Sequence, residues 1–106
     1  HEMAEKSNVG IVVDEPAVPL RDEVRAVGEL LGIDPLVSAN EGKAVFGLRA
    51  ECADAVLDAV RAHPLGRNAA IVGECVVDRP GFVVLDTGFG SRLLAEAEGE
   101  LLPRIC

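Results

Sequence analysis

The sequence contains no Trp and no Tyr, and its only aromatic residues are Phe46, Phe82 and Phe89. That scarcity excludes a platform on which nucleic-acid bases stack. Positive charge is also scarce: Lys plus Arg is 10 against 18 Asp plus Glu, a formal net charge of −8, with a pI near 4.6. The balance excludes charge-driven binding to nucleic acid or to an anionic membrane. No apolar run approaches the roughly 18 residues of a membrane span. The opening from His1 to Lys6 is polar, without the apolar core of a signal peptide. Cysteine is limited to Cys52, Cys75 and Cys106. An odd number without a C-x-x-C pair indicates neither a disulfide framework nor a zinc site. With no secretion signal, this points to a reducing cytoplasm.

What remains is enough for one domain. The chain has 106 residues, 49% of them hydrophobic, and a mean hydropathy of +0.27, so a packed core is feasible. One small acidic domain has little material with which to bury a nucleotide and also carry catalytic groups. A self-sufficient nucleotide-using enzyme is therefore not expected. The chain opens His1-Glu2-Met3, and residues 1–8 read as the end of an upstream helix or the remnant of a tag.

Strand and helix patterns alternate along the chain. Val9 to Val13 is a β-branched run that predicts a buried strand. Leu20, Val24, Val27 and Leu31 follow helical spacing, and Gly32 stands where that helix would end. Asp34-Pro35 starts a turn, and Leu36-Val37 is a brief extended or helical piece. Asn40-Glu41-Gly42 reads as a tight turn, and Ala44 to Leu48 as a strand. Glu51 to Ala62 predicts a second helix with Cys52, Val56 and Val60 along one stripe, ended by His63-Pro64-Leu65-Gly66. Ala69 to Val77 reads as a long strand. After the Arg79-Pro80-Gly81 turn, Phe82 to Leu85 reads as its hairpin partner. Beyond Thr87 no period survives. Two helices against a mixed sheet of about four strands make an α+β domain, an α/β sandwich, over residues 9–87. Residues 88–106 read as a flexible tail.

Seven features could carry chemistry. Cys52 on a helix stripe and Cys75 within a strand read as inert core thiols. Cys106 ends the chain after Pro103 and Arg104. Arg104 favours the thiolate, while the adjacent α-carboxylate opposes a second negative charge. No three residues follow it, so a prenylation motif is absent. A carrier thiol and a chain that merely ends in cysteine both remain open. Glu41 lies on a tight turn beside Gly42, where a carboxylate can be aimed at a ligand and act as a general base if burial tunes it. The plainer reading is a solvated turn. Gly88-Phe89-Gly90-Ser91-Arg92 lacks P-loop spacing and reads as a flexible junction. His63 reads as a partner for a helix C-terminus. Glu74, within a β run, either faces solvent or pairs with an Arg.

Several segments, taken in order, resemble the C-terminal domain of the HypE family of hydrogenase maturation factors. They are Gly10-Ile-Val-Val-Asp-Glu, Val18-Pro-Leu-Arg-Asp-Glu-Val-Arg, Leu31-Gly-Ile-Asp-Pro-Leu and Ala39-Asn-Glu-Gly-Lys43. Arg61-Ala-His-Pro-Leu-Gly-Arg67 and Ala70-Ile-Val-Gly-Glu74 follow, and the ending Leu102-Pro-Arg-Ile-Cys106 is the most specific. The resemblance runs from about Gly10 onward. Val45 to Ala50 is more polar than the family pattern, Cys52 and Cys75 depart from it, and residues 88–91 match the family's glycine-rich turn only roughly.

The resemblance implies a domain like the C-terminal half of the PurM (AIR synthetase) group. It also implies an ATP-dependent reaction, with ATP and Mg bound mainly by an N-terminal domain that also forms the homodimer contact. The 106 residues alone are then expected to hold no cofactor and to be inactive with ATP. In the family, HypF carbamoylates the sulfur of a terminal cysteine, here Cys106. The thiocarboxamide is dehydrated to a thiocyanate, and the cyanide passes to iron on the HypC–HypD complex for [NiFe]-hydrogenase assembly. Under this reading Glu41 becomes the base that removes protons from the carbamoyl nitrogen. The alternative is a regulatory ligand-binding or protein-docking α/β module without catalysis of its own.

Overall fold

The computed structural model describes residues 1–95. They form two compact units, one of His1–Pro19 with Gly47–Ala95, the other of Leu20–Phe46. The first holds helix α1 (Glu2–Ser7), helix α3 (Ala50–Arg61) and strands β1 (Gly10–Asp14), β2 (Gly73–Val76), β3 (Val83–Asp86) and β4 (Ser91–Leu93). The second holds helix α2 (Asp22–Leu31) and a 3-10 turn, Pro35–Val37. The α+β class and the mixed four-stranded sheet agree with the sequence expectation.

The sheet order is β2-β1-β3-β4. β1 runs antiparallel to β2, with Ile11 opposite Cys75, and parallel to β3, with Ile11 opposite Val83. β3 runs antiparallel to β4. The two strands with β-branched apolar runs, β1 and β3, thus both have their two edges hydrogen-bonded, as burial of an apolar run requires. Val83 and Leu85 on β3 are buried, with Ala4 of α1. Their spacing of two places them on one face of the sheet. Close approach of β2 to β1 depends on Gly73, where a Cβ would overlap the Val12 carbonyl oxygen.

Four local expectations are corrected. Phe82 to Leu85 is not the hairpin partner of the preceding strand. Gly81 donates its N–H to Val9 O (2.9 Å) and Ile11 donates to Phe82 O (3.0 Å), so the chain crosses the end of β1 and β3 takes the far edge. The strand expected over Ala69 to Val77 shortens to Gly73–Val76. Ala44 to Leu48 forms no strand, because an apolar alternation becomes one only where a neighbour completes the ladder. Past Thr87 the chain is not irregular at once: β4 forms at Ser91–Leu93. In the segment 1–8, read as the end of an upstream helix or a tag remnant, the structure has the short helix α1.

In the second unit, α2 starts with Asp22 and Glu23 in its first turn, where carboxylates favour the helix dipole. It ends at Gly32, whose left-handed φ of +67° lets the backbone N–H return to Gly28 O. Ile33 closes the same carbonyl at 2.9 Å. Gly28 is buried, and a Cβ there would crowd Ile33 O and the Pro35 ring.

Candidate functional site

The segment that carries Glu41 is prepared by a run of short-range hydrogen bonds. Asp34 accepts the Leu36 N–H at 2.9 Å and so caps the 3-10 turn. Ser38 Oγ donates to Asp34 O (3.4 Å), and Asn40 Nδ2 donates to Ser38 O (3.2 Å). Glu41 follows, exposed, and Gly42 bends the chain with φ +74°. Where a tight turn is expected at Asn40-Glu41-Gly42, the structure has a bend at Gly42. The burial that would tune Glu41 as a base is not supplied within its own unit. Its carboxylate stands free to meet whatever approaches this surface.

Cys106, with the rest of 96–106, lies outside the described residues. The other two thiols are not core groups. Cys52 and Cys75 are both free and exposed. Cys75 lies on β2, which among the described residues pairs only with β1. Cys52 lies in the first turn of α3, beside Ala55, Val56, Ala59 and Val60 in a shallow apolar groove rimmed by Glu51.

The remaining candidates resolve into local structure. The Gly88 region is the β3–β4 hairpin rather than a loose junction. Gly88 donates its N–H to Asp86 Oδ1 (2.9 Å), Phe89 donates to Thr87 Oγ1 (3.3 Å), and Thr87 closes on Gly90 O (2.9 Å). The amides a phosphate would need at residues 88 and 89 are already satisfied. His63 does not cap α3. Its Nδ1 accepts the Leu65 N–H (3.1 Å) at the head of the next 3-10 turn, Pro64–Gly66, a role the sequence signals through the proline that follows. Glu74 is exposed on β2, the solvent-facing one of its two alternatives. Among the described residues no three His, Cys, Asp or Glu side chains gather to hold a metal. None of the described helices is long and apolar enough to cross a membrane.

Comparison with known proteins gives a consistent result. The family described as AIR synthase related protein, C-terminal domain, matches residues 1–86. The carbamoyl dehydratase HypE of Azotobacter vinelandii is 50% identical over all of this chain and 31% of its own length. A solved structure of hydrogenase maturation protein HypE in complex with ATP superposes with a TM-score of 0.87 and 42% identity, over 99% of this chain and 33% of that one. A HypE–HypF complex contains a chain with a TM-score of 0.84 and 33% identity, over 91% of this chain and 31% of that one. The chain therefore spans about a third of the length of the relatives it matches.

Proposed function

The chain belongs to the family of AIR synthase related proteins, C-terminal domain, and from that membership we propose that it is the C-terminal part of an ATP-dependent carbamoyl dehydratase in hydrogenase maturation. The observation that carries this reading is 50% identity to the carbamoyl dehydratase HypE of Azotobacter vinelandii over the whole of this chain, about a third of that enzyme. Agreement in fold with HypE solved in complex with ATP supports it.

The chemistry follows from a poor leaving group. The Cys106 thiolate first accepts a carbamoyl group on sulfur. HypF is the donor in this reading, supported by the HypE–HypF complex of a relative. Loss of water from the thiocarboxamide requires its oxygen to depart. Transfer of the ATP γ-phosphoryl group to that oxygen, with ADP released, turns it into a phosphate leaving group. Removal of the nitrogen-bound protons, one of them by Glu41, then lets phosphate leave as the C≡N bond forms, giving an S-cyano cysteine. We assign binding of ATP and Mg, and the homodimer contact, mainly to polypeptide outside these 106 residues. HypC–HypD is the acceptor of the cyanide, in the cytoplasm. A carrier cysteine held on the same chain as the ATP site meets donor, ATP and acceptor in turn at high effective concentration.

The test is carbamoylation of the full-length protein by HypF with carbamoyl phosphate and ATP, read by mass spectrometry. Cys106→Ala abolishes the modification, whereas Cys52→Ala and Cys75→Ala retain it. Because Cys52 and Cys75 are both exposed, the controls separate recognition of Cys106 from mere accessibility. Modification that persists in Cys106→Ala refutes the reading. An enzyme whose terminal cysteine threads a pocket fails when residues are added beyond Cys106, whereas a docking module tolerates them.

A further inference from the structure

We propose that Gly42 and Asn40 are positioning residues that aim the Glu41 carboxylate at its substrate. The inference rests on the reading of Glu41 as the base and names what orients it. Gly42 has φ +74°, a region that residues with a Cβ resist. A Cβ built on it meets no atom of the described residues within 4 Å. Glycine at position 42 therefore serves backbone direction and not space. Gly28 in the same unit is the opposite case, since a Cβ there would stand 2.8 Å from Ile33 O.

The chain entering the bend is anchored while the chain leaving it depends on that one torsion. Asn40 Nδ2 holds Ser38 O, Ser38 Oγ holds Asp34 O, and Asp34 holds the Leu36 amide. Glu41 thus sits between a hydrogen-bonded run on its N-terminal side and a left-handed residue on its C-terminal side. An exposed carboxylate has several rotamers, so backbone placement decides how often it faces the proton it must remove. Misplacement of a base by about 1 Å costs up to about a hundredfold in rate.

The experiment is single-turnover conversion of the S-carbamoyl form to thiocyanate in the full-length enzyme, followed by mass spectrometry. Gly42→Ala lowers the rate at least about tenfold, with the KM for ATP within about twofold and the melting temperature within about 2 °C. Gly42→Asn recovers to within about threefold of wild type, because Asn tolerates the left-handed region. A merely structural role would shift melting and ATP affinity together and would not respond to a residue chosen for its backbone preference. Asn40→Asp, which removes the amide donor to Ser38 O, lowers the rate in the same sense. A wild-type rate in Gly42→Ala, where Glu41→Gln abolishes turnover, overturns the positioning role. A wild-type rate in Glu41→Gln instead overturns the underlying assignment of the base. Should Gly42→Ala fail to fold, an unchanged rate in Asn40→Asp overturns the proposal.

Discussion

The unit of 1–19 with 47–95 and the unit of Leu20–Phe46 are held together in different ways. The first depends on ladders between strands far apart in sequence, such as Val12 opposite both Glu74 and Val84. The second depends on bonds that reach two to five residues: Leu36 to Asp34, Asn40 to Ser38, Ile33 to Gly28. Long-range pairing is cooperative, so a defect in one strand is felt by its neighbours. Local bonds fail one at a time. A candidate catalytic carboxylate on the second kind of structure can be altered without loosening the sheet. This is the usual division between a rigid scaffold and the loops that carry function.

The contrast can be tested by substitution, from the largest expected effect to the smallest. Leu85→Ala truncates the largest fully buried side chain among the described residues. It should cost about 2–5 kcal/mol in chemical denaturation. Gly73→Ala forces a Cβ into the Val12 carbonyl and should cost about 1–3 kcal/mol. In Gly73→Ala, hydrogen exchange should accelerate more in β1 and β2, the strands that meet at Gly73, than in β3 and β4; equal acceleration across the sheet would show that the defect is not local to that ladder. Asp34→Ala deletes the acceptor of the Leu36 N–H and should cost about 1 kcal/mol. The exchange change should stay within residues 33–40. Glu41→Gln should alter stability by less than about 0.5 kcal/mol while abolishing ATP-dependent thiocyanate formation. If Glu41→Gln instead melted like Leu85→Ala, the separation of scaffold from site would be wrong.

The fold was readable in the sequence wherever its cause is local. α2 ends at Gly32 because the residue after a helix adopts a left-handed backbone there, and a glycine after the last apolar repeat signals this directly. The bend at Gly42 was readable for the same reason. The hairpin read between Ala69–Val77 and Phe82–Leu85 failed because β1 intervenes between them. Proximity in sequence favours a hairpin, but it does not measure how strongly an apolar strand demands partners on both edges. The burial assigned to Cys52 and Cys75 failed with it. Residue type favours burial for cysteine, yet exposure follows from whether the strand or helix face is covered. As for the candidate site, a change of chain direction at Asn40, Glu41 and Gly42 was identifiable. The hydrogen bonds that anchor Asn40 were not, because a side-chain amide has several partners within reach.

Taken by itself, the sequence determined the helices, their caps and turns, the acidic surface and the resemblance that points to carbamoyl dehydration. Each rests on side-chain chemistry or on contacts a few residues long. Only the tertiary structure decided that β1 lies between β2 and β3 and that Cys52 and Cys75 are open to solvent. Those outcomes depend on which distant segments complete one another's backbone hydrogen bonds. That competition is resolved by the whole fold and not by any window of residues.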